Sequence, residues 1–223
     1  TGSFGLIPIQ KWFFEQNFKD ANYYNQSILI TCSKSIEKQH LESSIEQLIQ
    51  YHDTLRLRFR ANDYNEWEQY YCENVFFDGV YEYNIKPMDN PEETLNLLGT
   101  QLQCEFDIKE GPLFGVGLVH GFKDGRDRII LAAHHLLIDG ISWRILVRDL
   151  QDIYEGANVL EKTHTYMDWL KSLEEYEDSI SNEEKKYWHD INECIKENSI
   201  AKLSDEKRRK HKKIVIDNSI AEL

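Results

Sequence analysis

Apolar positions recur at two spacings along this chain, and the switches between them lay out its elements. Pro8 opens a helical pattern that runs to about Phe18, with proline at an early helical position where its missing N–H costs nothing. Tyr23 to Cys32 reads as a strand with the apolar run Ile28, Leu29 and Ile30 near its end. Ile36 to Tyr51 carries Leu41, Ile45, Leu48 and Ile49, the spacing of one helical face. Leu55 to Arg60 alternates strictly. Leu55, Leu57 and Phe59 fall on one face and Arg56, Arg58 and Arg60 on the other, as in a half-buried strand. Short strands are predicted near Glu66 to Cys72 and Val80 to Ile85, then a helix over Pro91 to Phe106. Leu113 to His120 and Arg128 to Ala133 read as paired strands around the turn at Lys123, Asp124 and Gly125. Ser142 to Tyr154 is a predicted helix with Ser142 as its N-cap. Two amphipathic helices, Thr165 to Glu177 and Asn182 to Ile195, and a short strand at Ile214 to Asp217 complete the pattern. Strands and helices alternate, but several strand pairs look like hairpins, which predicts a layered α+β or mixed α/β domain. The aromatic cluster Trp12, Phe13 and Phe14 is expected in its core.

Composition narrows the partners. The 223 residues include 41% hydrophobic side chains with charges spread among them, which is globular composition. The 39 acidic residues exceed the 26 basic ones, for a formal charge of −13, so nucleic acid and anionic membrane are poor partners. The one basic run, Lys207 to Lys213, reads as a solvated linker. No apolar run approaches the roughly 18 residues of a spanning helix. Thr1 to Ile9 lacks the basic and apolar regions of a signal peptide, and a cytoplasmic protein is expected. Cys32, Cys72, Cys104 and Cys194 lie far apart without a CxxC pair, which suits reduced thiols rather than a metal site. Patterned sequence starts at once and the chain stops just after a strand, so a piece of a longer protein is expected.

The segment with chemical character is His134-His135-Leu136-Leu137-Ile138-Asp139-Gly140, between an apolar strand and a helix. A strand-to-helix turn holds polar side chains rigidly at a sheet edge, and Gly140 is read as permitting the turn. Asp139 can orient a neighbour or pair with an arginine. A histidine's ordinary pKa of about 6.5 suits proton transfer near neutrality. On spacing alone a functional and a merely structural histidine pair weigh equally. Adjacent strand residues point to opposite faces, so His134 and His135 are badly placed to share a metal ion. No GxSxG elbow supports a hydrolase.

This segment resembles the HHxxxDG motif of the condensation superfamily of nonribosomal peptide synthetases. Its continuation through Ser142, Trp143 and Arg144 to Leu146 resembles the epimerization subtype more than the bond-forming ones. Pro8 to Gln16 is similar to the opening motif of epimerization domains. Tyr24-Asn25-Gln26-Ser27 resembles their FNQ segment with tyrosine in place of phenylalanine. His52 to Phe59 resembles the second core motif, and Gly111-Pro112-Leu113 also fits. The resemblance covers essentially the whole chain, in order.

The resemblance implies a fold of two lobes, each like chloramphenicol acetyltransferase, joined as a V around a tunnel. Residues 1–223 correspond to the N-terminal lobe, with the second lobe absent. His135 takes the catalytic position, an acid/base at Cα of an aminoacyl or peptidyl thioester. The substrate hangs from the phosphopantetheine arm of a carrier protein, and no cofactor or metal binds the domain itself. The opposite proton donor would be a glutamate of the second lobe. Asp139 is expected to pair with Arg56 in a buried bridge whose loss costs roughly 3–5 kcal/mol. His134 and Gly140 are supports. Asn25, Gln26, Ser142, Trp143 and Asp149 are candidates for the tunnel wall, with a strand's polar face, core packing and an exposed helix face as the respective alternatives for Asn25 and Gln26, Trp143 and Asp149. Expected partners are the peptidyl carrier protein, adjoining synthetase domains and the missing lobe. The leading activity is epimerization; a peptide-bond-forming condensation domain and a catalytically silent carrier-docking module are the alternatives. The half-domain alone is expected to be inactive.

Overall fold

The computed structural model describes residues 2–73, 77–157 and 164–197. The chain divides into two compact units between Met167 and Asp168. The first contains helix α1 (Pro8–Glu15), strand β1 (Asn25–Thr31), helix α2 (Lys38–Tyr51), strands β2 (Leu57–Ala61), β3 (Trp67–Tyr71) and β4 (Val80–Asn84), helix α3 (Pro91–Cys104), strands β5 (Phe114–His120) and β6 (Arg128–His134), and helix α4 (Ser142–Tyr154). Helix α5 (Tyr166–Ser179) begins at its end. This is the mixed α/β architecture the periodicity predicts. The expected strand at Ile214 to Asp217 and the basic run Lys207 to Lys213 lie outside the described residues.

Four strands form one sheet in the order β1-β6-β5-β4. β6 runs antiparallel to both β1 and β5, whereas β4 and β5 are parallel, and α3 makes the crossover between them. Gly125 N–H bonds the Phe122 carbonyl at 3.0 Å in the predicted β5–β6 turn. β2 and β3 form a separate antiparallel hairpin. In the central strand β6, every residue from Ile129 to His134 is buried, and its apolar residues run continuously from Ile129 to Ala133 rather than alternating. Gly117 on β5 has no Cβ to obstruct Leu98 of α3, which lets the helix lie close on the strand. Ile45 and Leu48 of α2 join Leu57, Phe59, Val116, Leu118 and Leu131 in a core where each is wholly buried. Such a side chain contributes about 1.5–3 kcal/mol relative to exposure.

Local chemistry moves several boundaries. α1 stops at Glu15 because Asn17 turns left-handed, at φ 47°. Phe13 is buried and Phe14 stacks on Trp67 at 4.1 Å, but Trp12 is 43% exposed, so the aromatic cluster is only partly core. The alternating segment is not one strand from Leu55. Asp53–Arg56 forms a 3-10 turn and β2 begins at Leu57. Arg58, expected on a solvated face, is 3% exposed. Its guanidinium donates to the Leu57 carbonyl at 2.7 Å, and burial lowers its pKa. It lies beside Gly111, which has φ +77° and no side chain to displace it.

In the second unit, the remainder of α5 is followed by α6 (Asn182–Glu197). The Ser181 hydroxyl accepts the Glu184 N–H at 3.2 Å and caps α6.

Candidate active site

The register of β1 on β6 builds the site. Asn25 lies opposite His134 and Gln26 opposite Ala133. One residue further, the His135 N–H bonds the Tyr24 carbonyl at 2.8 Å, closing the last rung before the chain leaves the sheet. The two histidines then diverge.

His134 is turned inward and wholly buried. Its Nε2 donates to the Ala21 carbonyl at 2.9 Å and its Nδ1 accepts the Leu136 N–H at 3.2 Å. Phe13 packs edge-on against it at 5.6 Å. Burial pushes its pKa down to about 4, so it is neutral at pH 7 and both nitrogens are spent on the backbone.

His135 is half-buried. The Tyr24 ring stacks on it at 5.4 Å with 18° between the planes. Its Nδ1 lies 2.8 Å from the Ile138 carbonyl, which can only accept, and its Nε2 lies 2.8 Å from Nε2 of Gln26. The other end of the Gln26 amide, Oε1, accepts the indole N–H of Trp143 at 3.0 Å. Trp143 is buried in the first turn of α4. A line of hydrogen bonds thus runs from α4 through β1 to the imidazole and back into the motif loop. Such a ring is fixed in place by both of its nitrogens, and it can take up and return a proton at Nε2 when the Gln26 amide gives way.

Asp139 does not do what was expected of it. It is exposed, and its Oδ1 accepts the N–H groups of Ile141 and Ser142 at 3.0 and 2.8 Å and the Ser142 hydroxyl at 2.7 Å. These hydrogen bonds, Ser142's first, hold its carboxyl below the usual carboxylate range. Ser142 is the first residue of α4, and its hydroxyl accepts the Asp139 N–H at 3.2 Å. The cap is therefore Asp139, with Ser142 reciprocating, rather than Ser142 alone. Arg56 is not brought to Asp139: its guanidinium lies over the Tyr71 ring at 5.6 Å. Gly140 has no left-handed φ, and a Cβ there would meet nothing within 4 Å, so the turn does not depend on glycine.

Asn25 donates to the Gln103 carbonyl at 3.3 Å and takes no part in the His135 network. Asp149 is not on an exposed helix face. Its side chain is 13% exposed, bound to His52 at 2.9 Å and to Arg148 at 2.9 Å. Tyr24 and the Ile138 carbonyl are the contributors that sequence reasoning missed. The Ile138 contact is local and follows from the His-x-x-Ile spacing, whereas nothing local announces the Tyr24 stack. Gln10 braces the loop from behind, its amide donating to the Gln69 side chain at 3.1 Å and the Leu136 carbonyl at 3.4 Å. Among the described residues no group of three or more His, Cys, Asp or Glu side chains could hold a metal ion, and no helix is long and apolar enough to cross a membrane.

Fold and site define a layered α/β domain that presents one oriented imidazole at a strand-to-helix turn. The chain belongs to the condensation domain family, whose model matches residues 2–221. It is similar to gramicidin S synthase 1 of Brevibacillus brevis, 34% identical over 199 residues that cover 86% of this chain and 18% of that protein. Surfactin synthase subunit 1 of Bacillus subtilis is 32% identical over 228 residues, covering 94% of this chain and 6% of the relative. Among solved structures, the epimerization domain from the third module of tyrocidine synthetase B is 32% identical with a TM-score of 0.75, over 86% of this chain and 44% of that one. The starter condensation domain of rhizomide synthetase matches with a TM-score of 0.68 at 19% identity, over 91% of this chain and 49% of that one, a likeness of fold. The chain thus spans 18% or less of these synthetases and about half of the solved domains. The fold is that of one lobe of the chloramphenicol acetyltransferase-like architecture these domains share.

Proposed function

We propose that this chain is the histidine-bearing, N-terminal lobe of an epimerization domain, acting on an aminoacyl or peptidyl thioester carried on the phosphopantetheine arm of a carrier protein. One observation carries the reading. Gln26, which bonds His135, and Trp143, which bonds Gln26, come from two of the segments that resemble the epimerization subtype.

The chemistry follows from the ring's state. A thioester carbonyl acidifies the neighbouring Cα–H. Nε2 of His135, whose lone pair is held by the Gln26 amide at rest and released when the amide gives way, is the group that takes the proton, and the electron pair of the Cα–H bond passes into the thioester as an enolate. Reprotonation from the opposite face gives the inverted centre and needs a donor beyond these residues, expected from the second lobe. His134 holds the strand end, and Asp139 with Ser142 holds the start of α4. Asn25, Arg56 and Asp149 are structural in this reading, since their side chains face the Gln103 carbonyl, Tyr71 and His52. The carrier protein and neighbouring synthetase domains are the partners, and the lobe by itself is inactive.

The test is deuterium wash-in. The lobe within its two-lobed domain is given an L-aminoacyl carrier protein in D₂O. Deuterium at Cα and D-product are expected, with a loss of at least about 10²-fold in His135→Ala. Peptide-bond formation with an acceptor carrier, and no wash-in, would move the assignment to condensation. Neither activity would leave a carrier-docking module.

A further inference from the structure

We propose that Gln26, oriented by Trp143, is a positioning residue that fixes the tautomer of His135, keeping the proton on Nδ1 and the lone pair on Nε2. The inference rests on His135 being the acid/base of the site, but its geometry stands on the resting chain. The indole Nε1 of Trp143 is a donor and never an acceptor, so the Gln26 atom 3.0 Å away must be its amide oxygen. The amide nitrogen is thereby turned to His135 Nε2 at 2.8 Å. An amide N–H there requires a lone pair on Nε2. The proton of the neutral ring must then sit on Nδ1, where the Ile138 carbonyl accepts it at 2.8 Å. Every bond in the line has one polarity, set at its far end by a group that cannot reverse. Flipping the amide would put its NH₂ against the indole N–H, two donors facing each other.

A histidine without partners exchanges between its two tautomers, and only one of them is a base at Nε2. The line of bonds removes that exchange, and the stacked Tyr24 ring holds the plane of the imidazole. The in-plane lone pair of Nε2 has a single direction and Gln26 lies on it, so the amide gives up that place when Nε2 takes a proton. Trp143 never touches the substrate in this scheme. It acts two bonds away, and α4, capped by Asp139, sets where it stands.

The test is ¹⁵N NMR of the histidine-labelled chain at pH 8, with the His135 signals identified by their loss in His135→Ala. In the native chain, Nδ1 is expected at a protonated, pyrrole-type shift and Nε2 at a pyridine-type shift. In Gln26→Glu the side chain has no N–H to donate and both ends accept, so Nε2 is expected to gain a proton and its resonance to move to the pyrrole type. In Trp143→Phe the amide is free to flip, and Nε2 is expected between the two positions, as a mixture. A thermal melt of each variant shows that it folds, and Gln26→Glu, nearly isosteric, keeps the test open if Trp143→Phe does not fold. In the two-lobed domain, both substitutions are expected to lower kcat by about 10²-fold with little change in KM. A pyrrole-type Nε2 in the native chain, or no movement in the folded variants, overturns the proposal. The expected shifts with no Cα exchange in the native enzyme would sustain the proposal and sink the epimerization reading, so the two fail separately.

Discussion

His134 predicts a specific acid sensitivity. The side chain is wholly buried, donates to one carbonyl and accepts from one N–H, and has no carboxylate partner that would welcome a second proton. Burial is the main cause of its lowered pKa, about 4 against an ordinary 6.5, with its neighbour His135 adding a little in the same direction. The unfolded chain therefore binds more protons than the folded one between these two values. Stability from His134 is fully present above pH 6.5 and drains away as the pH falls toward 4. The whole displacement is worth about 3 kcal/mol, of which about 2 kcal/mol is lost by pH 5. The comparison that isolates it is His134→Gln, whose amide N–H can still reach the Ala21 carbonyl but does not titrate. Urea unfolding of both proteins at pH 7.5 and pH 5 gives the stability gap at each. Whatever the gap at pH 7.5, it is expected to move by about 2 kcal/mol in favour of the glutamine variant at pH 5. A gap that stays constant within about 0.5 kcal/mol would mean that His134 is not held buried and neutral, and the reasoning would fail.

Two further substitutions discriminate between readings of the motif and its support. Asp139→Ala removes an exposed helix cap and is expected to cost about 1–2 kcal/mol in urea unfolding at pH 7. A loss above about 3 kcal/mol would restore the buried Arg56 pair. Because its folded pKa is depressed, the carboxylate's contribution is present above pH about 4 and disappears as the pH falls through the folded value. Gly111→Ala forces a side chain into a left-handed position against the Arg58 guanidinium, with an expected cost of at least about 2 kcal/mol; a wild-type melting curve would show that Arg58 yields.

The order and kind of the elements were legible in the sequence, because hydrophobic periodicity is a property of each segment. So was the turn at His134–Gly140, while the choice of His135 over His134 as the acid/base comes from the resemblance and stands as a proposal. The Asp139 cap was also within reach, since its partners lie two and three residues ahead. Arg56, Arg58 and Arg60 share one face in the alternating pattern, yet they end over Tyr71, buried beside Gly111 and paired with Glu68. Strand period assigns a face but not what covers it, and a 3-10 turn ahead of β2 breaks the period. The hold on His135 was out of reach altogether. Gln26 meets its two partners across 109 and 117 residues of chain. Those contacts exist because β1 pairs with β6 in one register and α4 starts at one point. A shift of one residue in either would turn Gln26 to the other face of the sheet or carry Trp143 out of its reach. Segments of sequence specify strands and helices; which donor meets which acceptor, and hence how the His135 ring is held, is decided only when the elements pack.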